Sequence, residues 1–113
     1  MNRIRTVLSL TALLAIVFAG AAVAAPPQSG DPAKGEKLYA AQKCSMCHRI
    51  GETGGKMGPE LTSVATKRDA TWLRAYLPDP KAVDPKNKMP AAKVTGGDLN
   101  DLIAYLLTLK TGK

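Results

Sequence analysis

The stretch Cys44-Ser45-Met46-Cys47-His48 contains both cysteines and the single histidine of a 113-residue chain. Two thiols separated by two residues and followed at once by a histidine form the C-x-x-C-H pattern of covalent haem attachment. The chemistry accounts for the spacing. In a helical segment Cys44 and Cys47 stand about one turn apart on one face, where both sulfurs reach the two vinyl groups along one porphyrin edge. His48, next along, then presents a ring nitrogen to the iron.

Three other uses of C-x-x-C compete with this one. A redox dithiol calls for a βαβ setting, and neither strand alternation nor a β-branched run flanks the motif. A zinc site takes four Cys or His ligands, and the chain supplies three. A disulfide across so small a loop would add little stability. Haem attachment is the reading the residues favour, and the rest of the composition agrees with it. With the N-terminal segment removed, the aromatic side chains are Tyr39, Trp72, Tyr76 and Tyr105. A domain this small is marginal without a staple, and its two cysteines are already committed. A large flat apolar cofactor bonded into the chain would complete the core.

Residues 1–24 read as a signal peptide. Arg3 and Arg5 form a basic start, an apolar run extends from Val7 to Gly20, and Ala22-Val23-Ala24 supplies an A-x-A cleavage signal. Cutting after Ala24 avoids placing Pro26 at the scissile bond. The alternative is an uncleaved anchor, since Val7–Ala25 only just reaches spanning length. Residues 25–30 then form a flexible leader, and 31–113 the folded domain.

Asp31-Pro32 starts a helix, with Asp31 as N-cap and Pro32 at the first position, where its missing N–H costs nothing. The helix is expected to run to about Lys43. Gly35 costs about 1 kcal/mol against alanine inside a helix, so it is read as the point where another helix crosses closely. Residues 51–60, rich in glycine, are expected to form an irregular loop. Within that loop the Pro59 carbonyl is the candidate acceptor for the second ring N–H of His48, a contact that fixes the tautomer of a ligating histidine. A short helical turn is expected over Leu61–Ala65. A helix follows from Asp69 as N-cap to Leu77, carrying Trp72, Leu73 and Tyr76, and Pro78 stops it. Lys67 and Arg68, just before it, are placed either to pair with a haem propionate or to sit solvated.

From Pro78 to Pro90 the chain has four prolines and is expected to lack helix and strand. Met89 lies here, stiffened by Pro90, and a soft thioether suits the iron opposite a histidine. Met46 lies between the cysteines and Met57 in the histidine-side loop, which leaves Met89 as the candidate sixth ligand. A gap-filling core methionine is the alternative use. Thr95-Gly96-Gly97-Asp98 resembles a capping box with Asp in place of Glu. It opens a last helix whose Leu99, Leu102, Ile103 and Leu106 repeat at i, i+3, i+4 and i+7. That helix is expected to end near Lys110, a cation favourable there, and to cross the first near Gly35 and Tyr39.

The order CSMCH, GPEL, a Trp-Leu helix, a DPK segment, KMP and a final helix containing AYL resembles a small bacterial class I cytochrome c across residues 31–110. That resemblance implies an all-α fold, three to four short helices wrapped around one covalently attached haem c. It assigns the thioethers to Cys44 and Cys47, the axial iron positions to His48 and Met89, and the second ring contact of His48 to Pro59. With both axial positions filled, no site remains for substrate, so the chain is expected to be a one-electron carrier and not an enzyme. Methionine opposite histidine raises the potential. A periplasmic shuttle between respiratory or oxidative redox partners is the leading expectation. The alternatives are a haem subunit fixed to an oxidase or dehydrogenase complex, or a gas-binding sensor with an open sixth site. The formal net charge of +7, with Lys86, Lys88 and Lys93 flanking Met89, would steer a monomer towards acidic partner surfaces or serve solubility alone. Nucleic acid is excluded as a partner, because basic and acidic residues interleave and the chain is read as exported.

Overall fold

A computed structural model of the chain describes Gly20 and residues 30–111. The signal segment, its cleavage point, the alternative anchor and most of the leader lie outside the described residues. Four helices and one minimal hairpin make up the described residues, which is the all-α architecture expected.

Helix α1 spans Pro32–Ala41. The carboxylate of Asp31 accepts from the N–H groups of Ala33 and Lys34, satisfying donors that a helix start leaves orphaned. The helix stops two residues short of the expected Lys43, because Lys43 takes a left-handed backbone with φ of 57° and breaks the ladder. A single 3₁₀ turn, Cys44–Met46, follows at once. In this tighter turn residues i and i+3 eclipse, so Cys47 lies over Cys44, and the Cys47 and His48 N–H groups both donate to the Cys44 carbonyl.

The next segment departs from the irregular loop expected. Strands β1, Arg49–Ile50, and β2, Thr53–Gly54, pair antiparallel in the register Arg49↔Gly54 and Ile50↔Thr53. The connection is the two-residue Gly51-Glu52, and Gly51 has φ of 60°, the positive value that tight hairpin turns require. Glycine permitted regular structure here where its abundance had argued against it.

A 3₁₀ turn at Val64–Thr66 precedes helix α2, Ala70–Tyr76. Asp69 caps α2 by accepting from the Trp72 N–H at 2.8 Å. Helix α3, Pro80–Val83, is a correction to the structureless Pro78–Pro90 segment. Asp79-Pro80 repeats the grammar of Asp31-Pro32: the Asp79 carboxylate accepts from the Ala82 N–H at 3.2 Å and proline occupies the first helical position. The proline count concealed a helix start.

Helix α4 spans Gly96–Leu106. Thr95 is its N-cap but makes no side-chain cap bond, so the capping box is not formed. Gly96, at φ of 57°, begins the helix from a left-handed residue. The helix also ends well before Lys110. The Thr108 hydroxyl donates to the Tyr105 carbonyl, and the Leu109 carbonyl turns away to accept from the Ala65 N–H.

The crossing of α1 and α4 organises the core. A Cβ on Gly35 would fall 1.9 Å from the Asp101 carbonyl oxygen and 2.7 Å from the Tyr105 Cβ, so only glycine allows this approach. Tyr39 and Tyr105 meet edge to face at 5.6 Å, and the Asp31 N–H donates to the Asp101 carboxylate at 2.7 Å. Leu102 and Ile103 are wholly buried beneath the crossing, with Leu73, Leu77, Val94, Leu99 and Leu106 around them.

Candidate functional site

The helices wall a cavity of about 740 Å³, inside the range of about 300–1,000 Å³ typical of small-molecule and cofactor sites. Cys44, His48, Pro59, Asn87 and Met89 all line it. Leu73, Leu77, Leu102 and Leu106 form the floor, and Lys67 and Arg68 also line it. Cys47 faces a smaller adjoining recess that shares Cys44, His48 and Met89 with the main cavity. The residues selected from the sequence are therefore brought together around one apolar space, although 45 residues of chain separate Cys44 from Met89.

The histidine is positioned by its loop. His48 Nδ1 lies 2.8 Å from the Pro59 carbonyl oxygen. A carbonyl can only accept, so this contact holds the proton on Nδ1 and leaves the Nε2 lone pair free for a metal. Gly58 makes the arrangement possible, since a Cβ there would fall 2.7 Å from His48 Cε1 and 2.9 Å from Nδ1. The Gly58 N–H donates to the Cys47 carbonyl at 2.7 Å and the Gly55 N–H to the Ser45 carbonyl at 2.9 Å, folding the loop back on the motif. Beyond the hairpin, Glu60 accepts from Thr62 at 2.5 Å and from Arg49 at 3.3 Å. Those two hydrogen bonds, the Thr62 one first, hold its carboxyl below the usual range.

Both cysteines are unpaired and half-buried. Burial pushes the Cys44 thiol up, outweighing the backbone hydrogen bond that lowers it, and the Cys47 charge adds to the rise. A redox dithiol needs its attacking thiol lowered, so the environment speaks against that use of the motif. Among the described residues no group of three or more His, Cys, Asp or Glu side chains is placed to hold a metal ion by itself.

On the α2 side the aromatic rings form a stack. The Arg68 guanidinium lies 4.2 Å from the Trp72 ring centroid, and Trp72 stacks on Tyr76 at 4.3 Å and 17°. Cation–π contact holds the arginine at the cavity, with exposed Lys67 beside it. Tyr39 reaches the cavity from α1. Its hydroxyl is buried without a hydrogen-bond partner, and its pKa is pushed up to about 12, first by burial and then by Cys44 and Tyr105.

Sequence reasoning missed three residues of the site. Gly58 was one glycine among several, and only the His48 ring packed against it gives it a role. Tyr39 was read for the helix crossing alone. Asn87, whose side chain accepts from the Met89 N–H at 2.6 Å, had a legible signal: an Asn two residues before the position it holds is an Asx-type turn.

A covalent haem fits these residues. The thiols lie at the edge of an apolar cavity, a histidine with a free Nε2 and a thioether share its lining, and cations stand ready for carboxylates. Comparisons with known proteins agree. The family model described as Cytochrome c matches residues 32–110. Cytochrome c-554 of Methylosinus trichosporium is 35% identical over 106 residues, covering 74% of this chain and 76% of that protein. Cytochrome c2 of Agrobacterium tumefaciens (strain II Chrys) is 33% identical over 109 residues, covering 74% of this chain and 96% of that one. Among solved structures, SoxXA from P. pantotrophus superposes with a TM-score of 0.62 at 25% identity, covering 78% of this chain and 85% of that chain. With a matching family model over nearly the whole described domain and a haem-attachment motif at its centre, the chain belongs to the cytochrome c family, the electron carriers that bind haem c covalently.

Proposed function

We propose that the chain is a periplasmic one-electron shuttle, exported by a cleaved signal peptide over residues 1–24 and followed by a leader over 25–30. In this reading Cys44 and Cys47 would carry the thioethers, and His48 and Met89 would hold the iron. The single observation that supports it most is the convergence of Cys44, His48, Pro59 and Met89 on one cavity. Bound there, the haem supplies an iron that gives up and takes back one electron.

The remaining work falls to the chain. His48 keeps its Nδ1 proton on the Pro59 carbonyl, which fixes the ring and strengthens Nε2 as a donor. Met89, from the cavity lining, would fill the position that an oxygen-binding or catalytic site needs open, and its thioether would favour the reduced state. Leu73, Leu102 and Leu106, which line the cavity, would keep water from the bound haem. Lys67 and Arg68 offer charges to the propionates. The exposed Lys86, Lys88 and Lys93 steer the face around Met89 towards acidic redox partners. No helix among the described residues is long and apolar enough to cross a membrane.

Carbon monoxide tests the coordination. Added to the reduced protein at neutral pH, it is expected to bind little in the native chain and readily in Met89→Ala. Fast stoichiometric binding by the native protein would instead favour the sensor. Purification of the native protein from its source tests the shuttle: migration alone supports it, and persistent association with membranes or an oxidase favours a fixed subunit.

A further inference from the structure

The segment that carries Met89 has no regular structure after α3, yet it is held at several points. After the methionine, the Ala92 N–H donates to the Leu77 carbonyl at 2.8 Å, and the Lys93 N–H donates to the Gln42 side chain at 2.9 Å. Pro90 has no N–H to give. The only backbone donor at the methionine and its proline is therefore the Met89 N–H, and Asn87 Oδ1 receives it at 2.6 Å. The other end of the same amide donates through Nδ2 to the Tyr76 hydroxyl. Tyr76 in turn is stacked on Trp72, and Arg68 covers Trp72.

We propose that Asn87 is the positioning residue for Met89, clamping the methionine's backbone to helix α2 through Tyr76. This rests on the reading of Met89 as an axial ligand. An amide is suited to the task because it accepts and donates at once, so one side chain closes the turn at Met89 and tethers it. Without the clamp, Met89 spends part of its time displaced, and the sixth position becomes available in proportion to that fraction.

Imidazole, added to the ferric holoprotein, competes with the Met89 thioether and measures this fraction. Asn87→Ala is expected to bind imidazole about three- to tenfold more tightly than the native protein, the factor that one lost hydrogen bond produces. Tyr76→Phe, which removes only the tether, is expected to shift in the same direction. The double variant should fall short of the product of the two single effects, because both act through one connection. Asn87→Asp keeps the acceptor for the Met89 N–H, and Tyr76 can donate to it, so it should return most of the native affinity. The sulfur-to-iron absorption of the ferric protein, expected to weaken in parallel, separates ligand positioning from a general loss of stability. Unchanged imidazole affinity in both Asn87→Ala and Tyr76→Phe would overturn the inference. Met89→Ala tells the two failures apart. If it changes spectrum and affinity while the clamp variants do not, only the inference falls. If Met89→Ala changes neither, the ligand reading falls and takes the clamp with it.

Discussion

Replacing Gly35 by alanine sets two effects of known sign against each other. Helix propensity alone favours the change by about 1 kcal/mol. The crossing opposes it, because the new Cβ would lie 1.9 Å from the Asp101 carbonyl oxygen, and real Cβ atoms do not come within 3.0 Å. The obstacle is backbone, so no side-chain rotation relieves it, and α1 and α4 must part by about 1 Å. Overpacking of this kind costs about 1–3 kcal/mol, sometimes more. The separation also loosens the Tyr39–Tyr105 edge contact, a type worth about 0.5–1.5 kcal/mol, and the Asp31–Asp101 hydrogen bond. The net expectation is a loss of about 1–3 kcal/mol, or about 5–20 °C in Tm for a domain of this size. Guanidinium unfolding followed by far-UV CD and Trp72 fluorescence measures it, with an unchanged m-value showing that the native fold is kept. Gly97→Ala is the control, since nothing lies within 4 Å of its Cβ position; it should be neutral or gain up to about 1 kcal/mol. If Gly35→Ala proves as stable as the native protein, propensity has won and the close crossing is refuted.

The haem-free mature chain is expected to be largely unfolded, and a native-like helical CD spectrum from it would contradict the dependence of the fold on the cofactor. Tyr39→Phe should flatten the loss of stability at alkaline pH. The folded chain raises the hydroxyl from 10.0 to about 12, so the neutral phenol's contribution is complete below 10 and drains as pH rises towards 12; a slope unaltered by the substitution would refute this. Gly58→Ala pushes a Cβ against the His48 ring and should cost about 1–3 kcal/mol in stability while shifting the ring's NMR resonances, whereas unmoved resonances would deny the cradle.

Legibility in the sequence followed the range of the interaction. The motif could be read because its chemistry is local: five consecutive residues determine what they bind. The Pro59 contact was reachable because a ligating histidine needs an acceptor and the adjoining loop is short. Gly35 was legible through its cost, since a glycine inside a helix asks for a reason. What failed was the weighing of local signals against one another. Asp79-Pro80 carries the same capping chemistry as Asp31-Pro32, but the surrounding prolines outvoted it. The glycines of 51–60 argue for an irregular loop when counted, although a positive φ at Gly51 is what closes the hairpin. The end of α4 depended on Ala65, 44 residues away in the chain, accepting the role of donor to Leu109, and no periodicity announces such a partner.

The thinness of the core and the nature of the site are one fact. Tyr39, Val64, Leu73, Leu77, Leu102 and Leu106 belong to the buried core and also line the cavity. The space of about 740 Å³ that they surround leaves apolar side chains short of packing partners, and water admitted through its open mouth restores none of that apolar burial. A macrocycle bonded through Cys44 and Cys47 would supply the missing contacts. Once it is there, the leucines that complete the core are the ones that exclude water from the iron. Their substitution should move stability and reduction potential together, whereas substitution of Val94 or Leu99, buried in the core but not lining the cavity, should move stability alone.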